Sequence, residues 1–277
     1  MPSLNARSPG QLDEWLDAVT SKLTADNRHF GTSPLFAINL IAHKSNRRLD
    51  ADLEVCVRRR VPIVITSLGA REEINRAIQS YGGLTFHDLI NDRFAHKAVE
   101  QGADGLIAVA AGAGGHAGQQ SPFALIQEIR AWFDGPRVLS GAIASGRSVL
   151  AATALGADLA YVGSPFIATF EASASDAYKA GVVAGRAADV VNTDYFTGVQ
   201  GNYLRESILS AGLDPDHLPQ RDREAAFGSS GTTKVWRDVW GVGQGIGAIS
   251  EVRSVAALLD KFDREYREAV AQMQARF

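Results

Sequence analysis

The chain has 277 residues, 45% hydrophobic and 21% charged, with a formal net charge of −3. This is an ordinary globular composition, and it points to neither nucleic acid nor an anionic membrane as a partner. The single cysteine, Cys56, excludes an intrachain disulfide framework, and no apolar run approaches the ~20 residues needed to cross a bilayer. The N-terminal segment has no basic flank followed by an apolar stretch, so no secretory leader is expected and a cytoplasmic protein is the default.

Short apolar runs alternate with amphipathic helical stretches. The runs lie at 35–40, 62–67, 84–86, 105–110, 137–140 and 159–162, and they start roughly 20–30 residues apart, the length of a βα unit. Most are continuous apolar segments, as parallel strands buried on both faces require. The helices carry their own punctuation. Ser8-Pro9-Gly10-Gln11 resembles a capping box with proline at the first helical position. Leu12, Trp15, Leu16, Val19 and Leu23 then share one face. Ser121-Pro122 opens a second helix, with Phe123, Ile126, Ile129 and Phe133 on one side. Ser145 caps a third, which Gly156 ends, and Gly102 ends the helix before the fourth run. Residues 102–112 and 156–165 echo one another, each with Gly-Ala-Asp before a strand.

Beyond Ser164 the pattern changes. Residues 167–235 read as helical and loop-rich, with no clear strand. A glycine-rich turn follows at 241–247, then a last helix from about 250 to 273 with Val252, Val255, Leu259, Phe262 and Tyr266 along one side. The expected architecture is an α/β, (β/α) TIM-type barrel formed by residues 1–166 and 241–277, with 167–240 a helical lid subdomain inserted after the last strand. Six strands are too few to close an eight-stranded barrel. Met1-Pro2-Ser3-Leu4 reads as the remnant of a preceding strand. An open seam beside run 35–40 is therefore expected, and an exposed strand edge invites self-association, so a homo-oligomer is one expectation.

Parallel α/β folds bind ligands at the C-terminal ends of their strands. Here those ends carry small or polar residues: Asn39, Ser67, His87, the loop 111–118, Ser140-Gly141 and Gly163-Ser164. The loop is the strongest feature. His116 stands among glycines that permit unusual backbone angles and close approach to a flat ligand. Unperturbed imidazole titrates near ~6.5, which suits proton transfer at neutrality. The competing reading is a surface loop with an incidental histidine. His87 follows a strand and could line the same pocket, while His29, His43, His96 and His217 lie in polar or helical contexts expected to be solvated. Ser140-Gly141-Ala142 and Gly163-Ser164 form a second feature, two turns whose backbone amides could cradle phosphate; the competing reading is tight-turn glycines. There is no P-loop, zinc spacing or nucleophile elbow, so no metal is expected. Arg58-Arg59-Arg60 reads as a solvated helix end.

Four motifs, in order, resemble the nitronate monooxygenases: Gly-Ala-Gly-Gly-His-Ala-Gly (112–118), Ser-Gly-Ala-Ile-Ala-Ser-Gly (140–146), Gly-Ala-Asp-Leu-Ala-Tyr-Val-Gly-Ser (156–164) and Gly-Gln-Gly-Ile-Gly (243–247). The resemblance implies an FMN-binding barrel whose helical subdomain closes over the flavin. It implies that His116 is the catalytic histidine, that Asn39 and Gly114 contact the flavin, and that Gly141, Ala142, Gly163 and Ser164 hold its phosphate. It places Gln244 and Gly245 in a segment that approaches the cofactor. The implied partners are oxygen and a small-molecule substrate, a nitronate or nitroalkane. The family's Pro-Met strand against the flavin has no counterpart, many members have glycine at Ala142, and the last strand often ends Gly-Thr. Two alternatives stay open: a flavin-dependent NAD(P)H oxidoreductase acting on quinones or enoyl thioesters, and a truncated, non-catalytic paralogue.

Overall fold

The computed structural model describes residues 1–30, 35–218 and 237–276. Six strands, Ala37–Ile41 (β1), Ile63–Ser67 (β2), Leu84–Leu89 (β3), Gly105–Val109 (β4), Arg137–Ser140 (β6) and Leu159–Tyr161 (β7), form a parallel sheet in that order, and Gly115–His116 (β5), Gly201–Leu204 (β9) and Val190–Thr193 (β8) form a second, three-stranded sheet. By internal contacts the chain divides into two compact units, Met1–Ile107 and Ala108–Phe277. Among the described residues no helix is long and apolar enough to cross a membrane.

The first unit contains α1 (Pro9–Phe30), β1 (Ala37–Ile41), α2 (Leu49–Arg58), β2 (Ile63–Ser67), α3 (Glu72–Gln79), β3 (Leu84–Leu89), α4 (Asp92–Glu100) and most of β4 (Gly105–Val109). Each strand matches an apolar run in the sequence to within a few residues. Leu12 and Leu16 of α1, Ile38 and Leu40 of β1, Val55 and Cys56 of α2, Val64 of β2 and Ile74 and Ile78 of α3 are buried together. Burying an aliphatic side chain of this size contributes about 1.5–3 kcal/mol. Ser8 caps α1 by accepting from the Gln11 amide at 3.1 Å. Arg58 and Arg59 do more than end α2 in solvent. Both reach across to Asp13 of α1, Arg59 Nε at 2.6 Å, and Arg59 also pairs with Asp17. The arginine run is thus a clamp between two helices.

Met1 and Pro2 run beside β1. The Asn39 amide donates to Met1 O at 2.9 Å, and Pro2 forms a parallel bridge with Asn39. This pairing partly covers the free edge of β1, and the expected strand-like character stops at Pro2, because Ser3–Asn5 form a 3-10 turn.

The second unit continues with β5 (Gly115–His116), α5 (Pro122–Arg130), β6 (Arg137–Ser140), α6 (Gly146–Ala154), β7 (Leu159–Tyr161), α7 (Ser164–Ile167), α8 (Asp176–Ala184), β8 (Val190–Thr193), β9 (Gly201–Leu204), α9 (Arg205–Ser210) and α10 (Val255–Gln274). Ser145 caps α6 in a full capping box with Ser148. The repeated Gly-Ala-Asp has a physical reason. Asp104 accepts the Thr85 amide at the start of β3 at 2.7 Å, and Asp158 accepts the Arg137 amide at the start of β6 at 2.8 Å. The same device ties each strand to the one before it.

Four local expectations are corrected. Residues 167–235 contain strands: β8 and β9 pair antiparallel, and β9 pairs β5. Their short, polar sequences, Val-Val-Asn-Thr and Gly-Asn-Tyr-Leu, lack the alternation that signals a strand. Strand β7 is not buried on both faces, since Leu159 is 60% and Tyr161 51% exposed. Phe123 points to solvent while Leu125, Ile126 and Ile129 face inward. On α10 the buried position is Leu258, not Leu259, a shift of about 100° around the helix. Residues 219–236 and the side chain of His29 lie outside the described residues.

Candidate active site

The second unit brings three glycine-rich segments together. Gly112 O accepts two amides, from Ala142 at 3.1 Å and from Gln244 at 2.9 Å. The Gly243 amide donates to Ser164 Oγ at 2.9 Å. Asn202 of β9 donates from Nδ2 to Ala113 O at 2.6 Å and accepts Val242 N through its carbonyl at 3.1 Å. Thus the loop after β4 is tied to residues 241–245 by a backbone hydrogen bond and the loop after β7 by the Ser164 hydroxyl, while the loop after β6 joins them through Gly112 O. Tyr178 of α8 completes one wall. Its hydroxyl donates to Gly241 O, its ring stacks on Trp240 at 5.0 Å, and burial drives its pKa up.

These segments enclose a cavity of about 370 Å³, within the range of small-molecule sites. Of the residues expected at the site, Gly114, Ser140, Gly141, Ala142, Gly163, Ser164 and Gly245 line it. Among the described residues that line it, none carries a charge at neutral pH. From these residues an anion would meet backbone dipoles and the Ser140, Ser164 and Tyr161 hydroxyls. The cradle has room at the right place: a Cβ added to Gly163 meets nothing within 4 Å. Ala142 sits at φ 55°, a left-handed conformation that glycine adopts more easily. This turn therefore fits a phosphate-bearing group such as FMN by shape and donor type, with one limit. The Ala142 amide is already donated to Gly112 O, and one lone pair of Ser164 Oγ is taken by Gly243 N, which leaves its O–H as the donor. The free donors are fewer than motif matching suggests.

Gly114 lines the cavity and also stands against the C-terminal glycine segment. A Cβ there would lie 2.8 Å from Gly243 N and 2.9 Å from Val242 C. The glycine admits neighbouring backbone. Gln244 is not among the lining residues, and its amide serves to hold the segment on Gly112 O.

His116 is placed by β5, where it pairs with Gly201 of β9. It is half-buried, and Nε2 lies 3.0 Å from Thr197 Oγ1. Burial lowers its pKa, favouring the neutral imidazole. The neighbouring Gly115 lines the cavity; His116 does not. Neither a surface loop nor an open pocket wall describes it: it is a strand residue held from behind by a hydroxyl. Thr197, Asn202 and Tyr178 were not identified from the sequence. They arrive through the antiparallel β5–β9–β8 sheet and α8, and no local motif marks them.

In the first unit the strand ends carry a hydrogen-bonded chain. Asn39 Nδ2 donates to Ser67 Oγ at 2.6 Å, and Ser67 Oγ donates to Asp88 Oδ2 at 2.5 Å. Burial pushes the Asp88 carboxyl up to about 6, offset in part by the Ser67 hydrogen bond. His87 is buried against Thr66, with Nδ1 2.7 Å from Thr66 Oγ1, and burial lowers its pKa to about 4. His43 is half-buried, and His96 and His217 are exposed; His217 is ion-paired with Asp214 at 2.7 Å.

A nitronate monooxygenase of Neurospora crassa is 26% identical over 231 residues, covering 75% of this chain and 60% of its own. The structure of FabK from Thermotoga maritima matches with a TM-score of 0.77 at 23% identity, covering 98% of this chain and 85% of that one. The nitroalkane oxidase of Streptomyces ansochromogenes matches with a TM-score of 0.73 at 21% identity, covering 93% and 87%. At these identities the solved structures establish the fold, which is the barrel-type α/β architecture. The chain spans about half the length of the curated relatives it matches, 52–60% of those most similar. The nitronate monooxygenase family profile matches residues 19–261, and the chain belongs to that family.

Proposed function

We propose that this chain binds FMN and oxidises alkyl nitronates or nitroalkanes with oxygen. One observation carries the reading: a glycine-walled cavity, with no charged side chain among the described residues that line it, lies at the ends of β6 and β7, and the residue next to His116 forms part of its wall. The name of the Neurospora crassa relative supports the substrate class. The segment 167–240 contributes Tyr178 to the cavity, which supports its role as a lid.

When bound, FMN would supply the two-electron redox chemistry that no side chain here can supply. The residues Ser140, Gly141, Gly163 and Ser164 would hold its phosphate through hydroxyls and amides. His116 would handle the substrate. Its neutral imidazole can accept the α-proton of a nitroalkane, and the same ring can hydrogen-bond the charged oxygens of a nitronate already formed.

The test is anaerobic reduction of the FMN-loaded chain. An alkyl nitronate should bleach the flavin absorbance, and readmitted oxygen should restore it. Bleaching by NADH but not by nitronate would replace this reading with a reductase.

A further inference from the structure

We propose that Thr197 is a positioning residue that holds His116 in the tautomer carrying its proton on Nε2, leaving Nδ1 as the basic nitrogen. The consequence for turnover rests on the reading of His116 as the group that handles the substrate proton; the tautomer itself does not.

Thr197 lies in the turn between β8 and β9 and is 5% exposed. Its Oγ1 donates to Val199 O at 3.1 Å, accepts the Val199 amide at 3.4 Å, and meets His116 Nε2 at 3.0 Å. A hydroxyl has one proton to give. With that proton directed to Val199 O, the oxygen faces the imidazole as an acceptor, so Nε2 must be the donor. A neutral imidazole has a single N–H, which makes Nδ1 the unprotonated nitrogen. Burial lowers the His116 pKa, which favours the neutral ring.

The surroundings hold Thr197 where it can do this. His116 and Gly201 are ladder partners, and the Ala117 amide donates to Gln200 O at 3.1 Å. Imidazole and hydroxyl are therefore fixed on adjoining backbone. The Gly198 amide closes the turn on Asp194 O at 2.7 Å. Behind it Tyr203 is fully buried, edge-on to Phe196 at 5.0 Å, and its phenol also interacts with Thr197. The Thr197 proton is already committed to Val199 O, the acceptor within its own turn. Which ring nitrogen is the base is set by the hydrogen bond of the other.

The experiment is nitrogen NMR of the full chain labelled in its histidine rings, with His116→Asn used to assign the signal. The expected result is the Nε2–H pattern for His116 in the native chain, lost to a mixed or Nδ1–H pattern in Thr197→Val and restored in Thr197→Ser. Turnover of a neutral nitroalkane should fall roughly 10–100-fold in Thr197→Val, a part of what proton transfer contributes, with KM nearly unchanged and activity recovered in Thr197→Ser. An Nδ1–H pattern in the native chain, or an unaltered pattern in Thr197→Val, overturns the proposal. The spectrum reads the tautomer directly, so it judges Thr197 even if His116→Asn leaves turnover intact and the catalytic reading fails. If Thr197→Val does not fold, Thr197→Ala carries the same comparison, and an unaltered pattern there overturns the proposal equally.

Discussion

Gly114 and Gly243 approach so closely that a Cβ on Gly114 would stand 2.8 Å from the Gly243 nitrogen. The contact joins the histidine loop to the C-terminal glycine segment, and nothing larger than hydrogen fits between them. Gly114→Ala should therefore cost about 1–3 kcal/mol of stability, as overpacking does. The Tyr178–Trp240 stack, one residue from Gly241, should loosen as the segment lifts. Chemical denaturation followed by tryptophan fluorescence reads both. A variant as stable as the native chain would mean that the two segments separate freely.

Gly163 gives the opposite expectation. Its φ of −117° suits any residue, and a side chain there meets no protein atom within 4 Å. Gly163→Leu should fold normally and fill the cavity. Bound FMN should fall by at least tenfold at matched protein concentration, with the circular dichroism spectrum unchanged. Native FMN content in this variant would move the phosphate away from the turn after β7.

His87 and Asp88 are adjacent in β3 and should pull stability in opposite directions with pH. His87 has its pKa lowered to about 4 from an unfolded value near 6.5. The unfolded chain then binds the extra proton, so this contribution is intact above pH ~6.5 and is lost as pH falls toward 4. Asp88 is raised to about 6 from 3.8. The folded chain holds that proton longer, so its contribution is intact below pH ~3.8 and is lost as pH rises through 6. Between pH 4 and 6 the two largely offset. Relative to the native chain, Asp88→Asn should lose Tm more steeply on acidification from pH 6.5 to 4, and His87→Gln should gain Tm over the same range. Parallel Tm profiles for all three proteins would contradict both assignments.

Much of the scaffold was legible because parallel strands announce themselves. Runs such as Ile-Val-Ile-Thr at 63–66 are apolar without interruption, and caps such as Ser121 and Ser145 mark where helices begin. What stayed hidden depended on partners distant in the chain. Gly-Asn-Tyr-Leu at 201–204 is a strand only because His116 and residues 190–193 lie on either side of it. Thr197 reaches His116 across 81 residues of chain. The glycines at 112, 114, 141, 163, 243 and 245 looked alike in the sequence, yet Gly163 opens onto empty space while Gly114 and Gly245 make room for protein backbone. Only the positions of neighbouring atoms separate those roles.

Comparing two substrate forms on one variant decides whether His116 serves proton chemistry in the proposed FMN-dependent oxidation. His116→Asn, with FMN content matched to the native chain, should lose turnover of a neutral nitroalkane by roughly 10²–10⁴-fold, the usual contribution of a general base. Turnover of the preformed nitronate should be largely spared, because its proton has already left. If His116 instead stabilises the anion, both substrates should suffer by the ~1.5–3 kcal/mol of a charge-assisted hydrogen bond, which is roughly one to two orders of magnitude in rate. Native rates on both substrates with native FMN content would remove His116 from the chemistry and contradict the account.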